Sequence, residues 1–218
     1  MVEYIEHAIP KCETIDIEGF SVRYLLDIEL TNNHGGSALC IMMNPSRADM
    51  AESDDTINKV VEFFNDRNYK AIKIFNLFPF YVTSSSDLRQ VIDDFQTEAD
   101  TDNFREVMNR NFSIISEITN KIDKDVCVVL AWGDPPTNFE NSLYQRYIDK
   151  ALGCIENLPN INIFESNYHS GNITKLGNPR HPSRITLTGL LKIKTVKYRH
   201  ILMNNDEDNN TSYLTDGD

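Results

Sequence analysis

Ala38-Leu39-Cys40-Ile41-Met42-Met43-Asn44-Pro45-Ser46 is a continuous apolar run that stops on a turn-forming tripeptide. An apolar run of this length without polar alternation fits a strand buried on both faces. Three more runs share its form. Ala71-Ile72-Lys73-Ile74-Phe75 ends on Asn76-Leu77-Phe78-Pro79, residues 125–131 stop at Trp132-Gly133-Asp134-Pro135-Pro136, and Ile161-Asn162-Ile163-Phe164 is the fourth.

Helical spacing fills the intervals. Ile57, Val60, Val61 and Phe64 follow a candidate N-cap at Ser53 or Asp54, and Ser86-Asp87 can cap a short helix through Phe95. Phe104, Val107, Met108, Phe112, Ile115, Ile118 and Ile122 form one stripe over residues 102–122, and Leu143, Tyr144, Tyr147, Ile148 and Ala151 another over 141–152. Strands alternating with helices predict an α/β fold, a three-layer αβα arrangement around a central, mainly parallel four-stranded sheet. Upstream, Val22, Tyr24, Leu26 and Ile28 alternate with Arg23, Asp27 and Glu29, adding an N-terminal antiparallel strand that is expected to pair with the 38–43 run. Residues 1–203 read as a single domain, with no repeat and no interdomain linker.

Composition narrows the setting. The 218 residues are 40% hydrophobic and 25% charged, an ordinary globular balance. No apolar stretch reaches the roughly 18 residues a membrane helix needs, and Met1-Val2-Glu3-Tyr4 lacks a signal-peptide pattern, so a cytoplasmic location without membrane attachment is expected. Cys12, Cys40, Cys127 and Cys154 form no Cys-x-x-Cys pair and share no metal-ligand spacing with the five histidines, so all four read as reduced packing residues. No cofactor and no metal is expected. Asp49, Glu52, Asp54 and Asp55 could gather around a hard cation, but a solvated loop and a helix cap account for them more simply. His34, between Asn33 and Gly35, is expected to be exposed, and Asp134 beside Trp132-Gly133 is a candidate acid or base, with a turn residue the simpler reading.

The net charge of −12 argues against broad binding to a phosphate backbone, which requires clustered Lys and Arg. Its distribution qualifies that. Residues 204–218 carry five acids and no base and read as a disordered tail, leaving the body at −7. Residues 170–203 carry no acid but seven bases, Lys175, Arg180, Arg184, Lys192, Lys194, Lys197 and Arg199, around His181. Either these pair with acids elsewhere or they make an anion-binding surface.

In open α/β sheets ligands bind beyond the carboxyl ends of the strands. Asn44-Pro45-Ser46, Asn76, Trp132-Gly133 and His181-Pro182-Ser183 all follow apolar strands, so they are expected to converge. In this order they resemble the motifs of the uracil-DNA glycosylase superfamily over residues 38–190. More closely, Met43-Asn44-Pro45-Ser46-Arg47-Ala48-Asp49, Asp54-Asp55-Thr56, Asn76-Leu77-Phe78, Asp87-Leu88, Trp132-Gly133 and Gly177-Asn178-Pro179-Arg180-His181-Pro182 resemble a bacterial and phage family of unassigned activity, domain of unknown function 1643.

The glycosylase resemblance implies hydrolysis of an N-glycosidic bond in a nucleic acid or nucleotide. Asn44 then orients water and His181 stabilises the leaving base. Asn76 reads the base edge, donating and accepting together, with Pro45 and Phe78 against the base face. Ser46, Ser183, Arg180 and Arg184 hold phosphates. Asn44 stands where the uracil enzymes carry Asp, resembling instead their mismatch-directed branch, and Asn orients water without taking its proton. Residues 185–191 supply either an apolar wedge for extruding a base or the first turns of a buried helix. A binding module that keeps the fold without the chemistry, recognising a nucleobase, a nucleotide or a partner protein, is the competing reading, and an acidic mimic of DNA is a third.

Overall fold

A computed structural model of the chain describes residues 2–31, 34–46, 48–82, 84–98, 101–167 and 171–193. The acidic tail, and Lys194, Lys197 and Arg199 of the basic stretch, lie outside the described residues.

Hydrophobic alternation becomes a mixed seven-stranded sheet: β1 (Ala8–Ile17), β2 (Phe20–Leu30), β3 (Ser37–Met42), β4 (Ala71–Asn76), β5 (Cys127–Leu130), β6 (Ile161–Glu165) and β7 (Gly189–Lys192), in the order β1-β2-β4-β3-β5-β6-β7. The four apolar runs are its parallel centre, β4-β3-β5-β6. Both faces of these strands are covered. Leu39, Ile41, Val128 and Leu130 join the core under α2 (Leu88–Glu98), α3 (Thr101–Thr119) and α4 (Asn141–Ile155). Their neighbours Ala38, Cys40, Met42, Cys127 and Val129 join a second core under α1 (Asp55–Asn65). The aromatic weight differs between layers: Phe95, Phe104, Phe112 and Tyr147 fill the three-helix side, whereas Phe63, Phe64 and Phe164 meet edge-on or tilted beside α1.

Antiparallel strands close both edges. β2 pairs with β4, β1 with β2, and β7 with β6. β2 is therefore not the neighbour of β3 that the sequence suggests, because β4 is inserted between them. The β1–β2 hairpin turns at Glu18 (φ 52°) and Gly19 (φ 84°), the left-handed pair that a two-residue loop needs to match strand twist. Residues 185–191 are neither the start of a helix nor a projecting wedge. A 3₁₀ turn, Pro182–Arg184, leads instead into β7, with Ile185 buried and Leu187, Leu190 and Leu191 packed on the cores.

Among the described residues no helix is long and apolar enough to cross a membrane, and all four cysteines are unpaired. His34 is exposed.

The chain leaves β3 toward α1 on one face and β5 toward α4 on the other. Loops that diverge from adjacent parallel strands leave a crevice at their carboxyl ends.

Candidate functional site

That crevice is a cleft of about 620 Å³, lined by Asn44, Asn76 and His181 together with Gly133 and the rim residues Arg180 and Arg184. The side chains that the sequence singled out thus meet on one surface, Asn44 and Asn76 from strand ends and His181 from a loop sixteen residues beyond β6 rather than from the end of a strand.

Asn44 follows β3. Its Nδ2 donates to the carbonyls of Pro45 (2.8 Å) and Val82 (3.2 Å), which fixes the amide's orientation because only NH2 can face two acceptors. Oδ1 receives no hydrogen bond from the described residues and remains as an acceptor on the cleft side chain.

Asn76 ends β4 and is 1% exposed. Its main-chain carbonyl accepts from Nδ2 of Asn111 on α3 (2.9 Å). Its Oδ1 accepts from Nη2 of Arg23 (3.4 Å), while its Nδ2 is buried without a partner. The amide therefore offers the cleft a donor; the acceptor half expected for base reading is turned to the guanidinium.

Arg23 was invisible in the sequence, where it occupies a polar position in the alternation of β2. It is 1% exposed because the segment after β4 folds over it: its N–H donates to the Pro79 carbonyl (2.8 Å), and Val22 bridges Phe80. The guanidinium donates through Nη1 to the Ala48 carbonyl and lies 5.4 Å from the centre of the Tyr81 ring, yet Nε has no partner and no carboxylate among the described residues pairs with it. Burying a cation without a counter-ion is costly, and its position lining the cleft makes Arg23 a candidate site residue.

His181 precedes the 3₁₀ turn. Nδ1 accepts from the Ser183 N–H (3.3 Å) and lies 2.8 Å from the Ser183 hydroxyl. A backbone N–H can only donate, so Nδ1 is unprotonated and Nε2 carries the hydrogen. Burial pushes the imidazole pKa down to about 4; Arg184 and Lys59 act in the same direction, and Asp54 opposes them. The ring is neutral near pH 7. Lys59 of α1 donates to the carbonyls of Pro182 (3.1 Å) and Ile185 (3.2 Å), tying this turn to the helix.

Trp132-Gly133 supports the same wall. Gly133 (φ 74°) donates to the Pro179 carbonyl at 2.9 Å, and Trp132 Nε1 donates to Asn178 Oδ1 at 3.3 Å. Asn178 Nδ2 and the Thr174 hydroxyl both donate to Asp134. Asp134 thus ties Thr174 and Asn178 to this wall through Oδ1 while lining the cleft.

The other expected residues divide. Ser46 lines the cleft but its hydroxyl donates to Asp54, whose second oxygen caps α1 at the Ile57 N–H (2.8 Å). Ser183 and Arg184 are exposed at the rim, and Arg180 lines it while its Nε donates to the Gly171 carbonyl (2.7 Å). Phe78 and Pro45 do not reach the cleft. Phe78 is fully buried among Phe139, Tyr144 and Tyr147, and Pro45 is buried with its carbonyl taken by Asn44 and by the Val82 N–H. Asp49 accepts from the N–H groups of Ala51 and Glu52, and among the described residues no three metal-ligating side chains converge.

A family model described as Protein of unknown function (DUF1643) matches residues 23–183, and the chain belongs to that family. The matched span begins at Arg23 and ends at Ser183, so it contains Asn44, Asn76 and His181. No curated protein matches the chain.

Proposed function

Starting from that membership, we propose that the protein is a nucleobase-recognising hydrolase of the uracil-DNA glycosylase-like type, cleaving an N-glycosidic bond in a nucleic acid or a nucleotide. The observation that carries the reading is the meeting of Asn44, Asn76 and His181 in one cleft at the carboxyl ends of parallel strands. The proposal extends to the fold: Asn44, Asn76 and Trp132 follow three of the four parallel strands, which supports a glycosylase-like arrangement.

Cleavage of this bond leaves positive charge on the sugar and negative charge on the departing base. Asn44 Oδ1 accepts a hydrogen from water and aims the water's lone pair at the sugar carbon. As the new C–O bond forms, the C–N electron pair leaves with the base, and the water's proton passes to the base or to solvent. His181, neutral and carrying its hydrogen on Nε2, donates to the base as its charge develops. Arg180 and Arg184 at the rim meet phosphates. Incubation with oligonucleotides containing uracil, mismatched thymine or modified bases, and with free nucleotides, tests the reading by released base. Absence of product together with absence of nucleotide binding removes it.

A second reading, a nucleobase reader without turnover, is favoured by one observation: both cleft carboxylates are tied into the scaffold, Asp54 through both oxygens and Asp134 through two hydrogen bonds on Oδ1. The substitution Asn44→Ala separates the two. A hydrolase loses turnover while binding is largely kept; a reader changes only in affinity.

A further inference from the structure

The acceptors and donors of the cleft are not in balance. Asp54 has both oxygens engaged within the protein and Asp134 accepts twice on Oδ1, whereas two donors at the floor, Arg23 Nε and Asn76 Nδ2, are buried without partners. Both residues are 1% exposed and both line the cleft. The orientation of the Asn76 amide is set by its neighbour, because a guanidinium carries donors only and can meet Oδ1 but not Nδ2. Asn111 also has a buried unpartnered oxygen, but it belongs to α3 and does not line the cleft. The floor thus holds two buried, unpartnered donors beside a buried positive charge.

We infer that Arg23 and Asn76 form a receptor for an edge with two acceptors and no donor, and that the base taken by the cleft is a 6-oxopurine presenting O6 and N7. This deepens the proposed base-reading function and rests on it. With Nη1 on the Ala48 carbonyl and Nη2 on Asn76 Oδ1, the donors left for that pair of acceptors are Arg23 Nε and Asn76 Nδ2, one for each. The edges of uracil and thymine place the N3–H donor between two carbonyls, and adenine places its amino group beside N7; each brings a donor against donors. A site built on hydrogen bonds rejects such analogues strongly, because its own buried groups then stay unpaired. The same guanidinium also favours the purine as it leaves with negative charge.

Calorimetric titration of the full chain with GMP, IMP, UMP, AMP, 7-deaza-GMP and inorganic phosphate tests the assignment. GMP and IMP are expected to bind roughly tenfold or more tightly than UMP and AMP, and loss of N7 in 7-deaza-GMP to weaken binding by a similar factor. In Asn76→Asp, with folding verified by circular dichroism, the new carboxylate pairs with Arg23 and the preference for GMP over UMP is lost. UMP or AMP binding as tightly as GMP, or 7-deaza-GMP binding as well as GMP, overturns the purine assignment and leaves base reading standing. Phosphate binding as tightly as GMP overturns it as well, by showing that the floor takes a free anion. Failure of every nucleotide to bind removes the base-reading function and this inference together.

Discussion

A Cβ built on Gly133 would stand 3.0 Å from the Cβ of His181. The glycine of the Trp132-Gly133 pair is thus what allows the histidine backbone to close on the end of β5, and its φ of 74° adds a second reason for glycine. Gly133→Ala is expected to lower stability by about 2 kcal/mol in denaturant titrations, from left-handed strain and the contact together. It also displaces His181, so nucleotide binding falls even where the variant is fully folded. Unchanged binding by the folded variant contradicts this account of the wall.

The depressed His181 pKa has a consequence for stability. The unfolded imidazole titrates near 6.5 and the folded one near 4, so between these values the unfolded chain binds more protons. Stability from this group is fully present above pH 6.5 and is lost as the pH falls toward 4. The ring is half-buried, and about 3 kcal/mol is an upper bound for the loss. Denaturant midpoints of the wild type and of His181→Asn, compared from pH 4 to 8, are expected to converge at the acid end. Parallel profiles through that window exclude a neutral, buried imidazole.

Much of this wall could be read in the sequence, and its floor could not. Asn44 and Asn76 follow apolar runs that are buried on both faces, so their strands show as local hydrophobicity and their ends as turn residues, whereas His181 lies sixteen residues beyond the end of β6 and is marked by its Pro-Ser turn alone. β1 escaped because an edge strand bearing Lys11, Glu13 and Asp16 has no continuous apolar signal. β7 is an apolar segment of four residues, too short for periodicity to separate strand from helix. Arg23 lies on the polar phase of β2 and is buried only because Pro79 and Phe80, more than fifty residues downstream, fold across it. Phe78 is the converse case, an aromatic near the site whose packing partners come from α4 and the loop before it.

Lys59 joins α1 to the His181 turn through two carbonyls that have the cation as their shared donor. Removing it in Lys59→Ala leaves the Ile185 carbonyl without this donor and the Pro182 carbonyl with only the Ile185 N–H (3.4 Å), which loosens the turn, with an expected loss of about 1–2 kcal/mol. Lys59→Met keeps the aliphatic stem and isolates the contribution of the ammonium. Both variants are expected to weaken turnover more than nucleotide binding, because the Arg23 and Asn76 floor is untouched. Equal stability of Lys59→Met and wild type would show that the two hydrogen bonds contribute nothing.

Replacing Asn44 by Asp puts a carboxylate at the water-orienting position, but the surrounding carbonyls argue against a gain in turnover. Asn44 Nδ2 lies 2.8 Å from the Pro45 carbonyl and 3.2 Å from that of Val82. In Asn44→Asp an oxygen takes that place and faces two acceptors, so the carboxyl either rotates out of position or holds its proton to bridge them. Repulsion of the charged form raises its folded pKa above the unfolded value near 3.9. The sign then follows: relative to wild type, the variant is most stable in acid and loses stability as the pH rises through the raised pKa. Turnover is expected to stay low at neutral pH and to improve only where a second substitution relieves the contact with the carbonyls. Denaturant midpoints from pH 4 to 8, together with base-release assays on the same samples, check both parts. A variant that is as stable as wild type at pH 7 and turns over rapidly would show that the Asn44 position tolerates a carboxylate and that the pinning hydrogen bonds do not matter.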